Sequence, residues 1–281
     1  MVAQVVPTPS RNERVDNFLL AGYSRDRLRY HFEGVARRAV ERILKLYDKV
    51  VAIGVDGSVG RRSPSPYSDI DIFVLVRGKR LPDPMYYLDM GCYVAIGFSP
   101  LRERKERGVD FFYARGGARS ARVLYDPRGI LKRRIEKRRT AKPASHTVEE
   151  ALFDAYTNII EYAGKLRNGW VTSNEYLTRY AARTIASRSE EVVMALNDLS
   201  PVSENIVWNL VMKAKKKPAH FTLDYPIARG HQGTAQTRRV FKSGLRLARE
   251  SLKLVKDEYA EKARGKSFRS LLGEPLDQIG L

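Results

Sequence analysis

The 281-residue sequence contains a single cysteine, Cys92. An intramolecular disulfide is therefore excluded, and so is a metal site built from several thiolates. The longest apolar runs, such as VVAIGV and FVLV, fall far short of the ~20 residues that a membrane-spanning helix needs. The first residues lack a basic start followed by an apolar stretch, so no secretory signal peptide is predicted. These absences predict a cytoplasmic protein that does not span a membrane.

Acidic side chains are scarce relative to basic ones, since 32 Asp and Glu stand against 51 Lys and Arg and give a net charge of +19. Residues 1–130 hold 23 basic and 15 acidic side chains, so the excess extends over both halves of the chain. A distributed positive charge attracts polyanions such as RNA or nucleotide phosphates. The alternative is a heat-adapted surface, because only four Gln, eight Asn and one Cys accompany the many Arg and Glu. Composition does not choose between the two.

The length exceeds what one hydrophobic core usually serves, which predicts two domains. Hydrophobic periodicity in the first half predicts a helix over 25–48, strands at VVAIGV, DIDIFVLV and MYYLDMGCYVAIGF, and a short strand at 120–126. The basic run LKRRIEKRRTAKP follows. We therefore predict an α+β domain over 1–130, with a mixed sheet flanked by helices, and a basic linker over 131–146.

The patterns beyond the linker are helical. Thr147 with Glu150, and Thr172 with Glu175, have the spacing of capping boxes at helix N-termini. Four amphipathic patterns with short connections predict an all-helical bundle over 147–281.

Two aspartates, Asp69 and Asp71, open the apolar strand DIDIFVLV, where folding does not require carboxylates. Residues two apart in a strand face the same side, so these side chains project together from Cα atoms roughly 6–7 Å apart. Like charges on one face repel each other, and each resists losing water, unless a cation lies between them. Mg²⁺ prefers hard oxygen ligands and is usually held by one or two carboxylates plus substrate phosphates. The pair therefore predicts a magnesium site.

Gly57 and Ser58 interrupt the chain directly after the preceding strand. Glycine lets a backbone approach an anion closely, and the neighbouring amides and the Ser58 hydroxyl can donate to phosphate oxygens. Arg61 and Arg62 follow in the same loop, either as triphosphate contacts or as solubilising residues. A phosphate cradle beside a carboxylate pair predicts phosphoryl-transfer chemistry. Neither a GKS/T phosphate loop nor a dinucleotide fingerprint occurs, which disfavours other nucleotide-binding folds.

The spacing of Gly57-Ser58, ten intervening residues and Asp69-Ile70-Asp71 resembles the signature of the DNA polymerase β nucleotidyltransferase superfamily. A sheet domain followed by a helical bundle is similar to the arrangement in kanamycin nucleotidyltransferase-like proteins. The resemblance implies two Mg²⁺ ions and the transfer of a nucleoside monophosphate from an NTP to a hydroxyl, releasing pyrophosphate. We expect the NTP to be ATP, although the sequence does not identify the base. It also implies a third carboxylate on the next strand, for which we predict Asp89, with Asp110 as the alternative.

The acceptor stays open among a small hydroxyl compound, a protein hydroxyl and an RNA end. The lack of a separable basic tail favours a small molecule or a protein over RNA. A different class of function is a catalytically silent regulator of the same fold that binds a nucleotide or RNA. The sequence does not predict an oligomeric state.

Overall fold

The computed structural model describes residues 20–78, 80–102 and 106–276. Two units divide these residues, each with its own hydrophobic core. The first unit holds the described residues up to 102 together with Arg115–Ala141, and the second holds 106–114 together with the described residues from Lys142 onward. No helix in the described ranges is long and apolar enough to cross a membrane.

A five-stranded mixed sheet forms the centre of the first unit. Its strands are β1 (Val50–Val55), β2 (Ile70–Val76), β3 (Met85–Asp89), β4 (Cys92–Pro100) and β5 (Arg122–Tyr125). They lie in the order β3-β4-β2-β1-β5. β2 and β4 run parallel, whereas the other neighbouring strands are antiparallel.

Helices cover the two faces of this sheet unequally. They are α1 (Arg25–Leu46), the single turn α2 (Gly57–Gly60), α3 (Gly108–Ser120), which belongs to the first unit from Arg115 onward, and α4 (Ile130–Thr140). α1 buries Phe32 and Ile43 against the face that carries Ile72. α4 buries Leu131 and Ile135 on the other face, beside Leu75. The predicted fold class, a mixed sheet with flanking helices followed by a helical part, is confirmed.

The predicted third strand, MYYLDMGCYVAIGF, is instead the hairpin of β3 and β4. Met90 and Gly91 separate the two strands, and both have positive φ, 47° and 78°. Positive φ at both central residues is typical of tight hairpin turns. Asp89 therefore pairs with Cys92 across the turn. The sequence has no Asn-Gly or Asp-Gly turn signal at this position, so its apolar pattern predicts one continuous strand.

The segment predicted as a basic linker, 131–146, also differs in the structure. Its first part is α4, whose Leu131 and Ile135 are buried. Arg139 donates from Nε to the carbonyl oxygen of Ala118 at 2.7 Å and from Nη2 to that of Ala121 at 2.8 Å. Two apolar residues four apart are enough to anchor a short helix, although basic side chains dominate the composition around them.

The second unit is helical in its described part. It contains α5 (Ser145–Val171), α6 (Glu175–Leu196), α7 (Glu204–Lys213), α8 (Phe221–Arg229), α9 (Thr237–Tyr259) and α10 (Lys266–Gly273), with the first turns of α3. Leu152, Ile185 and Leu252 lie at the centre of its core. Asp224 is buried without exposed surface and is paired with the exposed Arg246, which donates to both of its oxygens at 2.5 and 2.6 Å.

Both predicted capping boxes are wrong. Thr147 lies inside α5 and is buried, and the N-cap position of α5 is Ala144. α6 is capped by Asn174, whose side chain accepts a hydrogen bond from the Leu177 amide at 2.9 Å. Each helix begins away from the predicted residue because burial of its apolar stripe decides where the chain turns into the core.

Candidate active site

The predicted carboxylate pair lies at the N-terminal end of β2. Asp71 is the second residue of this strand, Asp69 immediately precedes it, and both side chains are exposed. Ile70 and Ile72, which alternate with them, are buried in the core beneath α1. Since side chains alternate along a strand, Asp71 lies on the face opposite α1. α4 covers this side of the sheet beside Leu75, and we refer to the remainder as the open face. Asp69 is close enough for its charge to raise the pKa of Asp71.

The environment of Asp71 disfavours its negative charge. Its pKa is raised above the ordinary value, first by loss of hydration and then by the neighbouring charges of Asp69 and Asp56. A carboxylate in such surroundings gains stability from a cation placed nearby. The electrostatics therefore fit a cation-binding role for the pair.

The Gly-Ser turn adjoins this carboxylate. Gly57 begins α2 with φ +65°, and a Cβ atom at this position would lie 3.2 Å from Asp71 Oδ2. The Asp56 amide donates to the Asp71 carbonyl oxygen at 2.9 Å, which fixes the start of α2 beside β2. Glycine is needed here because an L side chain is strained at positive φ and would crowd the carboxylate. The structure thus brings Gly57 and Asp71 together.

Asp56 is a residue of this site that the sequence analysis missed. Its Oδ1 accepts hydrogen bonds from the Gly57 amide at 2.6 Å and from the Ser120 hydroxyl. A Cβ atom on Gly117 would lie 2.9 Å from its other oxygen, so the end of α3 packs closely against it. The sequence signal for Asp56 is its position before Gly57 at the end of a buried strand. Its hydrogen-bond partner Ser120 is 64 residues away in the sequence, so this contact has no local signal.

Arg61 and Arg62 follow α2 directly. The Arg61 amide closes the turn by donating to the Gly57 carbonyl at 3.2 Å. Arg62 has φ 59°, and its Nε lies 3.8 Å from Glu33 Oε1 on α1. Arg62 therefore has a carboxylate neighbour on α1, and its contact with a triphosphate stays a prediction.

Arg62 also belongs to a cluster of like charges. Arg122, the first residue of β5, places Nη2 3.6 Å from the same Glu33 oxygen. Burial lowers the pKa of Arg122; Glu33 opposes this shift, and the positive charges of Arg62, Arg29 and Arg37 add to it. Its Nε and Nη2 atoms are buried and have no hydrogen-bond partner among the residues that the structure describes. We call Arg29, Arg37, Arg62 and Arg122 the arginine cluster.

Asp89, predicted as the third carboxylate, does not join the pair. It ends β3 and pairs in register with Cys92, whose side chain is buried beneath α1. Its Oδ2 accepts a hydrogen bond from Arg38 Nε on α1 at 3.0 Å. Paired residues of a sheet point to the same face, so Asp89 lies on the α1 side and Asp71 on the open face. The reason is the two-residue turn, which inverts the alternation expected for one continuous strand.

The alternative, Asp110, lies in the first turn of α3, in the part that belongs to the second unit. No three Asp, Glu, His or Cys side chains of the described ranges converge in a way that could hold a metal ion. The donor set on the open face is therefore two carboxylates. This set fits a Mg²⁺ ion that completes its shell with substrate phosphates and water. It does not supply the third carboxylate that the resemblance implies for a two-ion site.

Comparison with solved structures yields distant likenesses at the level of the fold. No protein-family model and no curated protein matches the chain. Among solved structures, the chain is similar to a nucleotidyltransferase-like protein from Exiguobacterium sibiricum 255-15, with a TM-score of 0.48 and 12% sequence identity. The match covers 85% of this chain and 83% of that chain. At this level of similarity it bears no argument about the reaction, which must come from the site itself.

Proposed function

We propose that the protein is a magnesium-dependent nucleotidyltransferase. It moves a nucleoside monophosphate from an NTP, with ATP preferred, to an acceptor hydroxyl and releases pyrophosphate. The supporting observation is the juxtaposition of Asp71 and Gly57, whose Cβ position lies 3.2 Å from the carboxylate. The negative charge of Asp71 is disfavoured in its surroundings and would be stabilised by a bound metal ion. A glycine turn beside it lets a phosphate approach the backbone, so the two features together suit a metal-bound triphosphate.

The roles follow from the positions of the side chains. Asp69 and Asp71 would hold Mg²⁺, which when bound neutralises phosphate charge and polarises the reacting phosphoryl group. Gly57 admits a phosphate close to the backbone, and the Ser58 hydroxyl donates to a phosphate oxygen. Asp56 is a positioning residue, because it ties the start of α2 to Ser120 of α3. Asp89 takes no part, since Arg38 pairs with it on the other face.

A catalytically silent nucleotide-binding protein is the second candidate. The observation that favours it is the two-carboxylate donor set, because Asp89 lies on the α1 side of the sheet. Such a protein would still bind Mg²⁺ and NTP through Asp69 and Asp71, without releasing pyrophosphate.

The test is pyrophosphate release from each NTP with Mg²⁺, using RNA, protein and small alcohols as acceptors. Asp69→Asn and Asp71→Asn should each lower turnover by at least about 100-fold, because a metal ion contributes several kcal/mol to transition-state stabilisation. Asp89→Asn is the matched control: it removes one carboxylate from the α1 side of the same sheet and should retain turnover. Calorimetry with a non-hydrolysable ATP analogue, with and without Mg²⁺, measures the binding step separately.

Near-native turnover in both Asp69→Asn and Asp71→Asn would contradict the proposal. Loss of turnover in Asp89→Asn alone would restore that residue to the reaction. Asp-dependent binding of Mg²⁺ and ATP without pyrophosphate release from any NTP would favour the silent regulator.

A further inference from the structure

The open face continues from Asp71 onto the β3–β4 hairpin. In register, Asp71 pairs with Ala95, and Ala95 pairs with Tyr86. Neighbouring strands are ~4.8 Å apart, so the Tyr86 Cα lies about 10 Å from the Asp71 Cα on the same face. The adjacent row pairs Tyr93 with Leu88. We call Tyr86, Leu88 and Tyr93 the tyrosine platform.

The platform exposes unusually large apolar and aromatic surface for a sheet. Tyr86 is 61% exposed, Leu88 54% and Tyr93 45%. The two tyrosine rings are nearly parallel, with an interplanar angle of 9° and centroids 6.4 Å apart. Ala95 has a small side chain on the same face, and Gly97 has none; a Cβ atom at Gly97 would meet nothing within 4 Å. A flat ring can therefore lie on this surface beside the carboxylate pair.

The platform lies across the Asp pair from the Gly-Ser turn. β2 has two neighbours: β1, whose end leads into Gly57-Ser58, and β4, which leads to the platform. In an in-line phosphoryl displacement the attacking and leaving oxygens lie on opposite sides of phosphorus. If the triphosphate lies at Gly57-Ser58, as the proposed function requires, the attacking hydroxyl comes from the platform side. This step rests on the proposed function.

We propose that the tyrosine platform binds the terminal nucleoside of a single-stranded nucleic acid, whose hydroxyl is the acceptor. Exposed aromatic rings bind single strands by stacking on the bases, which every base permits. Charge complementarity supports this occupant, because the chain carries a net charge of +19. The sequence analysis favours a small molecule or a protein as the acceptor, because the chain lacks a separable basic tail. We propose a nucleic acid instead, because the exposed tyrosine pair is a stacking surface that composition does not reveal.

The test uses the full chain and a fluorescein-labelled 12-nucleotide oligoadenylate, as RNA and as DNA. We expect the double variant Tyr86→Ala/Tyr93→Ala to bind it at least about tenfold more weakly in fluorescence anisotropy at physiological salt. The dependence of affinity on salt should stay the same, because the phosphate contacts are retained. Magnesium-dependent binding of the ATP analogue should also stay the same. Tyr86→Phe/Tyr93→Phe should retain binding, because stacking does not need the hydroxyl groups.

The chain offers a matched control on α6. Tyr176 and Tyr180 also form an exposed stacked pair, with centroids 6.1 Å apart and an interplanar angle of 7°. The variant Tyr176→Ala/Tyr180→Ala removes a similar exposed pair of tyrosine rings from α6 and should leave oligonucleotide affinity unchanged. Circular-dichroism melting confirms that each variant is folded.

Three results for the Tyr86→Ala/Tyr93→Ala variant would overturn the proposal. The first is an oligonucleotide affinity equal to that of the wild type, and the second is loss of ATP-analogue binding while oligonucleotide binding is retained. The third is conversion of a wild-type dimer to a monomer in light scattering. The last would assign the surface to a second copy of the chain through the edge strand β3. Tyrosine-dependent oligonucleotide binding without pyrophosphate release would support the platform and contradict the proposed reaction alone.

Discussion

Asp71 is a residue whose charge opposes the stability of its own fold. Its carboxylate is disfavoured by loss of hydration and by Asp69 and Asp56, yet its backbone carbonyl holds the start of α2 through the Asp56 amide. The backbone role needs no particular side chain, so the carboxylate itself is not required for folding. A residue whose charge weakens the fold is a functional candidate on physical grounds.

Replacing this carboxylate should stabilise the protein in a pH-dependent manner. Asp71→Asn should raise the free energy of unfolding at pH 7 by less than about 1 kcal/mol, because the side chain is exposed. The folded-state pKa of Asp71 lies above its unfolded value, so ionisation costs stability as the pH rises from the unfolded pKa through the folded one. The advantage of the variant should therefore shrink as the pH falls toward ~3.9.

Thermal unfolding at several pH values in EDTA measures this difference. Added Mg²⁺ should stabilise the wild type and leave Asp71→Asn unchanged, since a ligand stabilises only the state that binds it. A variant that is less stable than the wild type at pH 7 in EDTA would show that repulsion is not the dominant effect.

At the scale of elements, the β3–β4 turn decides which side chains reach the site. In one continuous strand, Asp89 and Tyr93 would share a face, because they are four residues apart. The two-residue turn at Met90 and Gly91 makes Asp89 share a face with Cys92 instead. Asp89 is thereby moved to α1, and Tyr93 stays on the open face. Because of this unpredicted turn, the open face carries the aromatic side chain of Tyr93 but not the carboxylate of Asp89.

The basic helix α4 provides a test at the same scale. It contains six Lys and Arg residues but buries Leu131 and Ile135, so trypsin should not cleave it in the native protein. Ile135→Ala should cost about 3 kcal/mol through the cavity it leaves, and cleavage within α4 should become faster. Mass spectrometry of timed digests locates the cuts. Glu136→Ala, at an exposed position of the same helix, is the control. Prompt cleavage of α4 in the wild type would show that the segment behaves as the open linker that its composition predicts.

At the scale of the whole molecule, the two units are not consecutive in the chain. The described residues 106–114 belong to the second unit, although residues on both sides of them belong to the first. Phe112 is buried without exposed surface in the core of the second unit. The sequence predicts a single passage from sheet to bundle at 131–146, because composition changes only there.

This division makes a prediction for fragments. A fragment that starts at residue 106 should fold with a complete core for the second unit, whereas one that starts at residue 142 lacks Phe112. The shorter fragment should be less stable by about 3–5 kcal/mol, as for the removal of a buried aromatic side chain. Urea unfolding followed by circular dichroism compares the two, with Phe112→Ala in the longer fragment as the matched control. Equal stability of both fragments would mean that the first turns of α3 do not contribute to this core.

The sequence by itself determined the fold class, the outward face of Asp71 and the break at Gly57-Ser58. These features depend on periodicity and turn chemistry within a few residues, which are legible without a partner. Only the tertiary structure decided the partner of Asp56 and the face of Asp89. These features depend on strand register and on two contacts between distant parts of the chain, one with a sequence separation of 51 residues and the other of 64. At such separations, many alternative pairings of residues satisfy the same local sequence pattern.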